Sequence, residues 1–214
     1  WKEALQHFVD NAEEEWKYPD VAENLRLVMK SLNMALNPYL QYFYATDVVL
    51  KHQMAKPKTR GEEVVEIEAS LFEKYKQPEL KEKPAELSKR GGAHYSTAAF
   101  HLISAIVNDT KNHQVVACRN NGAIPTFDDD AAVEVTAEIG KAGARALPQK
   151  APEPSIRGLM QAVKSYETLT VQAAVTGDRD AAYQALLENP LTPNAKETKV
   201  ILDELLEINK PYLQ

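Results

Sequence analysis

Residues 89–99, KRGGAHYSTAA, decide how the middle of this 214-residue chain folds. Glycine in a helix interior costs roughly 1 kcal/mol relative to alanine, so the pair Gly91-Gly92 indicates a tight backbone turn. After it, apolar residues recur with the spacing of one buried helix face: Ala99, Leu102, Ile103 and Ile106. Ser96 or Thr97 is expected to cap this helix. The pattern therefore predicts that Tyr95 lies at the mouth of a helix.

The start of a helix can change the reactivity of a tyrosine side chain. The free N–H groups there carry about half a positive charge, and Arg90 adds a cation nearby, so both favour the phenolate. A tyrosine held this way could act as a general base. The same residues also fit a tyrosine that caps the helix and packs on the core, and the stretch alone leaves both roles open.

Further blocks extend the pattern in both directions. They are TRGEEV at 59–64, RGGAHYSTAA at 90–99, VACRNNGAI at 116–124, the stretch from Gly158 to Thr170, and AAVTGD at 173–178 with NPL at 189–191. In order and spacing these blocks resemble the C-terminal half of glycoside hydrolase family 4, and within it the 6-phospho-β-glucosidase branch. The resemblance runs from about Asn37 to the end of the chain and is weaker before it.

The secondary-structure pattern predicts an α+β fold, mainly helical with a small antiparallel sheet. Candidate strands are His113–Cys118, Ala131–Ile139 and Lys141–Leu147. The first predicted helix runs from Lys2 to Glu15, and the next follows a cap at Asp20. Further helices are predicted to begin at Pro38, to end at Tyr75, to begin at Ile156 and to follow a cap at Asp178. The last runs from Ala195 to Asn209. The breaker segment 148–154 is not expected to be a domain boundary, so residues 1–214 are interpreted as one catalytic and oligomerisation domain. The family resemblance implies a likeness to the C-terminal domain of lactate and malate dehydrogenases.

The resemblance also implies a chemistry that differs from that of ordinary two-carboxylate glycosidases. Bound NAD would oxidise the sugar 3-hydroxyl, a base would remove the proton from carbon 2, the aglycone would leave, and water would add before the ketone is reduced. Tyr95 matches the base of the family and Arg119 matches a contact to the phosphorylated sugar. Asn120 and Arg90 are candidate polar contacts to the same substrate, although an ion pair with a glutamate is the simpler account of Arg90 and of Arg60. A surface arginine at a strand end is the alternative for Arg119.

Other parts of the family site are missing from the sequence. No glycine-rich G-x-G-x-x-G turn for a dinucleotide is present, and the Cys and His that the family uses for its metal have no counterpart. Cys118 and His113 are not expected to form a metal site, because an odd spacing on a strand sends side chains to opposite faces. NAD and a divalent metal, manganese by resemblance, are therefore expected in a full-length enzyme and not in this fragment. The opening at Trp1 fits a chain whose N-terminal NAD-binding domain lies upstream.

Composition narrows the class of partner. A net charge of −6 with 26% charged residues argues against nucleic acid or an anionic membrane as the main partner. One cysteine and no apolar run near 20 residues fit a cytoplasmic protein. The resemblance implies a phosphorylated disaccharide such as cellobiose 6-phosphate as substrate, and a homodimer or homotetramer. Two alternatives stay open: a non-enzymatic helical interaction domain whose aromatic stretch, Tyr39 to Tyr44, docks a partner, and an α-glucosidase or α-galactosidase of the same family.

Overall fold

The computed structural model describes residues 2–91 and 94–213, without the side chain of Glu15. Eleven α-helices and three strands are assigned in this part of the chain. The helices are α1 Lys2–Asp10, α2 Ala12–Glu15, α3 Pro19–Leu32, α4 Gln41–Tyr44, α5 Thr46–Met54, α6 Arg60–Tyr75, α7 Glu86–Arg90, α8 Tyr95–Asn108, α9 Pro154–Thr176, α10 Arg179–Glu188 and α11 Ala195–Asn209. Short 3₁₀ turns span Pro38–Leu40 and Lys210–Tyr212. The predicted α+β architecture, mainly helical with a small antiparallel sheet, is confirmed.

The three predicted strands form one antiparallel sheet in the order β1-β2-β3: β1 Asn112–Arg119, β2 Ala132–Gly140 and β3 Gly143–Ala146. Cys118 pairs with Val133 and Val116 with Val135, so one face of the sheet carries the apolar side chains of both strands. Helix α8 covers one end of this face through Leu102 and Ala105. Residues of the β1–β2 connection cover the other end. The sheet thus supports a helix and a loop side by side.

The chain divides into two compact units, one of residues 1–54 with 152–214 and one of residues 55–151. In the first unit, α1 to α5 enclose a core around Trp16, whose indole Nε1 donates to the carbonyl of Pro38 at 3.2 Å. In the same unit α10 packs against α9 and α11, where Ala181, Ala185 and Leu202 are buried. The second unit holds α6, α7, α8 and the sheet.

Several boundaries differ from the sequence prediction. The first helix ends at Asp10 and a separate turn of helix begins at Ala12, with Asn11 between them donating from its side chain to the carbonyl of His7. Helix α3 begins at Pro19 with Tyr18 at the cap position, so the expected cap at Asp20 is wrong. His94 is the cap residue of α8, so the expectation of Ser96 or Thr97 is wrong as well. The cap predicted at Asp178 is confirmed, since its carboxylate accepts from the N–H groups of Asp180 and Ala181.

No helix in the described part of the chain combines the length and the apolar character needed to cross a bilayer.

Candidate functional site

Tyr95 is the first residue of α8, as the sequence predicts, and its side chain is 80% exposed. Within residues 2–91 and 94–213, no hydrogen bond to its hydroxyl is found. The carbonyl of His94 accepts the first hydrogen bond of the helix, from the N–H of Ala98 at 3.0 Å. The side chain of His94 caps no N–H group. In the part of the chain that the structure describes, no side chain caps the N–H groups at the start of α8, and the exposed phenol beside them can be reached by a substrate.

Helix α7 leads to this tyrosine and is held by α6. The guanidinium of Arg60 donates to the carbonyl of Lys89 at 2.6 Å, and Glu68 accepts from Arg90 Nε at 2.7 Å. Lys74 pairs with Glu86 in the same interface. Gly91 follows with φ of +95°, a conformation that favours glycine. The predicted double-glycine turn is thus supported at Gly91, whereas Gly92 lies outside the described residues.

Arg90 and Arg60 both form the ion pairs that their sequence context suggested. Arg90 lies 2.7 Å from Glu68, and Arg60 lies 3.3 Å from Glu63. The positive charge of Arg90 is therefore partly neutralised by a glutamate and is less available to stabilise a phenolate or a phosphate. The bond from Arg60 to the end of α7 is a contact that sequence reasoning missed, because the spacing between residues 60 and 89 carries no periodic signal.

Arg119 is the last residue of β1 and is exposed. Its Nε donates to the carbonyl of Asp129 at 3.3 Å, which ties it to the connection between β1 and β2. In the described part of the chain no carboxylate pairs with the Arg119 guanidinium, so its Nη groups are available to another acceptor. This arrangement suits a phosphate contact, since a guanidinium can bind phosphate through two parallel bonds.

Asn120, next in sequence, is completely buried. Its side-chain nitrogen lies within bonding distance of the carbonyls of Ile124, Phe127 and Asp128, at 3.1, 3.0 and 3.1 Å. Its side-chain oxygen accepts from the N–H of Ile124 at 2.7 Å. The whole amide is used inside the loop. The predicted direct contact between Asn120 and substrate is not favoured by this geometry.

Tyr95 and Arg119 both lie in the second unit, at the start of α8 and at the end of β1. Three residues join α8 to β1, and Gln114 of β1 donates from Nε2 to the carbonyl of His101 in α8 at 3.3 Å. Ala98 and His101 of α8 also line a cavity together with residues 112–114 at the beginning of β1. Arg119 follows Cys118 in β1, so its side chain points to the sheet face opposite the one that Cys118 shares with α8. Among the described residues no contact joins Arg119 to Tyr95.

Potential metal ligands are scattered over the described part of the chain. Among the residues that the structure describes, no three His, Cys, Asp or Glu side chains come together as a metal site. His113 is exposed, whereas Cys118 packs into the sheet core, so the two side chains point to opposite faces as predicted. The placement of the NAD and metal sites outside this chain stays a prediction.

The aromatic stretch from Tyr39 to Tyr44 is divided between two roles. Tyr42 and Tyr44 pack against the core of the first unit, whereas Tyr39 is 75% exposed. A second aromatic group was missed by sequence reasoning: the rings of Tyr18 and His52 stack with centroids 3.8 Å apart, and His52 Nε2 lies 2.9 Å from the Asp20 carboxylate. Residues 32 positions apart give no local signal of such a contact.

Comparison with known proteins identifies the family of this chain. The sequence model described as "Family 4 glycosyl hydrolase C-terminal domain" matches residues 2–192. The chain belongs to this family. The resemblance inferred from the five sequence blocks is therefore confirmed, and the matched residues include parts of both units of the chain.

Three relatives are informative. The protein named "Probable 6-phospho-beta-glucosidase" in Bacillus subtilis (strain 168) is 44% identical over 188 residues, covering 86% of this chain and 42% of that protein. The 6-phospho-beta-glucosidase of Thermotoga maritima is 36% identical over 184 residues, covering 86% of this chain and 44% of that protein. A 6-phospho-alpha-glucosidase of Leptotrichia buccalis is 32% identical over 176 residues, covering 82% of this chain and 40% of that protein.

The Thermotoga maritima enzyme also has solved structures. One, with NAD and glucose-6-phosphate, matches 98% of this chain and 50% of that chain with a TM-score of 0.85 at 33% identity. Another contains manganese, NAD+ and glucose-6-phosphate and matches 98% of this chain and 49% of that chain with a TM-score of 0.84 at 34% identity. The family 4 domain described above thus spans half or less of the length of these relatives.

Proposed function

We propose that this chain is the C-terminal catalytic and oligomerisation domain of a 6-phospho-β-glucosidase. The full-length enzyme would hydrolyse phosphorylated β-glucosides such as cellobiose 6-phosphate and would work in the cytoplasm. An N-terminal domain would bind NAD, and a divalent metal, with manganese favoured, would be bound outside the residues of this chain. The proposal extends the family membership to an activity.

One observation carries the proposal: an exposed Tyr95 at the start of α8 in a chain of family 4. In the proposed reaction the phenolate oxygen of Tyr95 accepts the proton from carbon 2 of the sugar. The phenol so formed gives the proton back to carbon 2 when water has replaced the aglycone. NAD would supply the oxidation at carbon 3 that makes this proton acidic. The exposed side chain fits the role, because a base must reach a substrate atom and a phenol packed in the core could not.

Arg119 would bind the phosphate of the substrate. Its guanidinium is exposed, tied at Nε and available at the Nη groups, so it can meet a phosphate without first breaking an ion pair. Arg90 would contribute less, because Glu68 competes for it. The division of work is thus a base on α8 and an anion contact at the end of β1.

Two relatives with β-glucosidase names, at 44% and 36% identity, support the β-specific assignment over the α-specific alternative, whose relative is 32% identical. A purely non-enzymatic interaction domain is disfavoured by the family membership. We also propose that the enzyme is a homodimer or homotetramer, which would cover exposed apolar side chains of the long helices such as Val171, Val175 and Ile208.

Substrate preference tests the proposed activity. The full-length enzyme, supplied with NAD and Mn²⁺, is expected to release glucose from cellobiose 6-phosphate, with little release from cellobiose or from maltose 6'-phosphate. Preference for maltose 6'-phosphate would move the enzyme to the α-specific branch. Equal rates on cellobiose and its 6-phosphate would contradict the proposed phosphate contact.

A further inference from the structure

The loop after β1, residues 120–131, is ordered around one buried amide. Asn120 has no exposed surface, yet its side chain is polar, and burial of an unpaired amide would be costly. The cost is offset because both ends of the amide bond to backbone groups of the loop. The side chain therefore closes the loop from inside.

The two ends of the same loop are joined by backbone hydrogen bonds just beyond β1 and β2. The N–H of Asn120 donates to the carbonyl of Ala131 at 2.8 Å, and the N–H of Asn121 donates to the carbonyl of Asp129 at 2.9 Å. Asn121 and Gly122 have φ of +44° and +80°, so the chain turns sharply just after the buried amide. Ile124 and Phe127 then pack on Val133 and Val135 of the sheet. The loop has one defined path.

Arg119 depends on that path. The carbonyl of Asp129 is the acceptor for Arg119 Nε, and it accepts from the N–H of Asn121 as well. Asp129 follows directly after Asp128, whose carbonyl is held by the Asn120 amide. Loss of the hydrogen bonds made by the Asn120 side chain would release the segment that carries the acceptor of Arg119. The link from Asn120 to Arg119 is therefore made through two adjacent carbonyl groups.

From this chain of contacts we infer that Asn120 is a positioning residue, which fixes the guanidinium of Arg119 for the substrate phosphate and does not itself contact the substrate. The inference rests on the proposed function, because it takes Arg119 as the phosphate contact. It replaces the direct substrate contact that the sequence suggested for Asn120.

The test uses the full-length enzyme with cellobiose 6-phosphate and compares three variants. Arg119→Ala is expected to raise KM roughly 10- to 100-fold, the range for loss of a hydrogen bond to a charged group. Asn120→Ala is expected to raise KM in the same direction with a smaller change in kcat. The double variant is expected to be no worse in KM than Arg119→Ala alone, because both changes remove one interaction.

Asn121→Gly is the matched control. It removes the amide of the neighbouring asparagine, which is exposed, and glycine accepts its positive φ. KM is expected to stay at the value of the unchanged enzyme. A rise equal to that of Asn120→Ala would show that any change in this loop has the effect, and would contradict a specific role for Asn120.

Asn120→Asp keeps the inference testable if Asn120→Ala does not fold. It preserves the acceptor for the N–H of Ile124 but places an oxygen against three carbonyl oxygens, so a carboxyl here should keep its proton to higher pH than a free one. A protonated carboxyl can donate one of the lost bonds. The ratio of KM between Asn120→Asp and the unchanged enzyme is therefore expected to fall as pH is lowered.

The outcomes separate the two proposals. If Arg119→Ala leaves KM unchanged, the proposed phosphate contact fails. If Arg119→Ala raises KM but folded Asn120→Ala does not, or if the KM ratio of Asn120→Asp is independent of pH, the positioning role of Asn120 is overturned while the contact at Arg119 stands.

Discussion

Tyr95 and Asn120 lie at opposite extremes of exposure, 80% and 0%. Within the described residues the phenol of Tyr95 is mostly open to solvent, whereas the buried amide of Asn120 has backbone partners at both ends. A group that reacts must reach the substrate, and a group that organises must be held firmly by its neighbours. At the scale of single residues, exposure and hydrogen bonding therefore separate the proposed base from the proposed positioning residue.

The contact between His52 and Asp20 should make the stability of the fold depend on pH. The hydrogen bond from His52 lowers the pKa of Asp20 below its ordinary value, and the His52 ring also stacks on Tyr18. Because the unfolded chain binds a proton to Asp20 at higher pH than the folded chain does, this contact stabilises the fold above about pH 4 and is lost as pH falls through the folded-state pKa. His52→Phe keeps an aromatic ring for Tyr18 but removes the hydrogen bond. Urea unfolding should therefore show the variant less stable between pH 5 and about pH 7, with the difference shrinking toward about pH 3.

The control for that experiment is Tyr18→Leu, which removes the stacking partner of His52 and keeps the hydrogen bond between His52 and Asp20. Its loss of stability should be nearly independent of pH in the same range. A constant difference between the unchanged protein and His52→Phe at all pH values would show that the hydrogen bond to Asp20 contributes nothing.

Sequence reasoning placed Tyr95 correctly because the turn and the helix period are both local signals. It placed Arg119 at the end of a strand for the same reason. It could not find the burial of Asn120, because a buried asparagine and a surface asparagine look alike before the loop is folded. The stacking of Tyr18 on His52 depends on the packing of α5 near the start of α3, which no local pattern encodes.

At the scale of elements, α6 acts as the support for α7. Its N-terminus has a complete capping box between Thr59 and Glu62, in which the N–H of Thr59 holds the pKa of Glu62 below its ordinary value. Three side chains of α6, Arg60, Glu68 and Lys74, then bond to α7. A helix of five residues is too short to be stable alone, so these contacts keep α7 folded.

Arg60→Ala is expected to loosen α7 and the segment that leads to Tyr95. The carbonyls at the end of α7 would lose their donor, so backbone amides in residues 86–91 and 94–98 should exchange with deuterium about fivefold faster, consistent with the loss of one hydrogen bond. Mass spectrometry of peptides from this segment measures the change.

Lys58→Ala is the matched control, since Lys58 pairs with Glu66 of α6 and has no bond to α7. Its exchange in residues 86–98 should equal that of the unchanged protein. Equal exchange in Arg60→Ala would mean that α6 does not support α7 through this arginine.

The observed helices and strands agree with the sequence prediction where a periodic apolar pattern extends over many residues. The three strands and α11 begin and end within a few residues of their predicted positions, and α8, α9 and α10 begin within a few residues of theirs. Helix α7 was missed because five residues are too few for a period to show, and the interruption at Asn11 was missed because apolar spacing continues across it. Short elements are decided by tertiary contacts, such as the bonds between α6 and α7.

At the scale of the whole molecule, the chain spans about half the length of the relatives it matches. The part described here supplies an exposed tyrosine, an exposed arginine and a loop that holds the arginine. Its described residues contain no cluster able to hold a metal. We propose that this domain contributes the proton transfer and the contact to the substrate phosphate.

Exchange of the substrate hydrogen at carbon 2 with solvent deuterium is the most direct measurement of that contribution. In the full-length enzyme, Tyr95→Phe should abolish most of the deuterium incorporation at carbon 2 while NAD binding stays unchanged, because only the phenolic oxygen is removed. Deuterium incorporation by Tyr95→Phe at the rate of the unchanged enzyme would contradict the assignment of Tyr95 as the base.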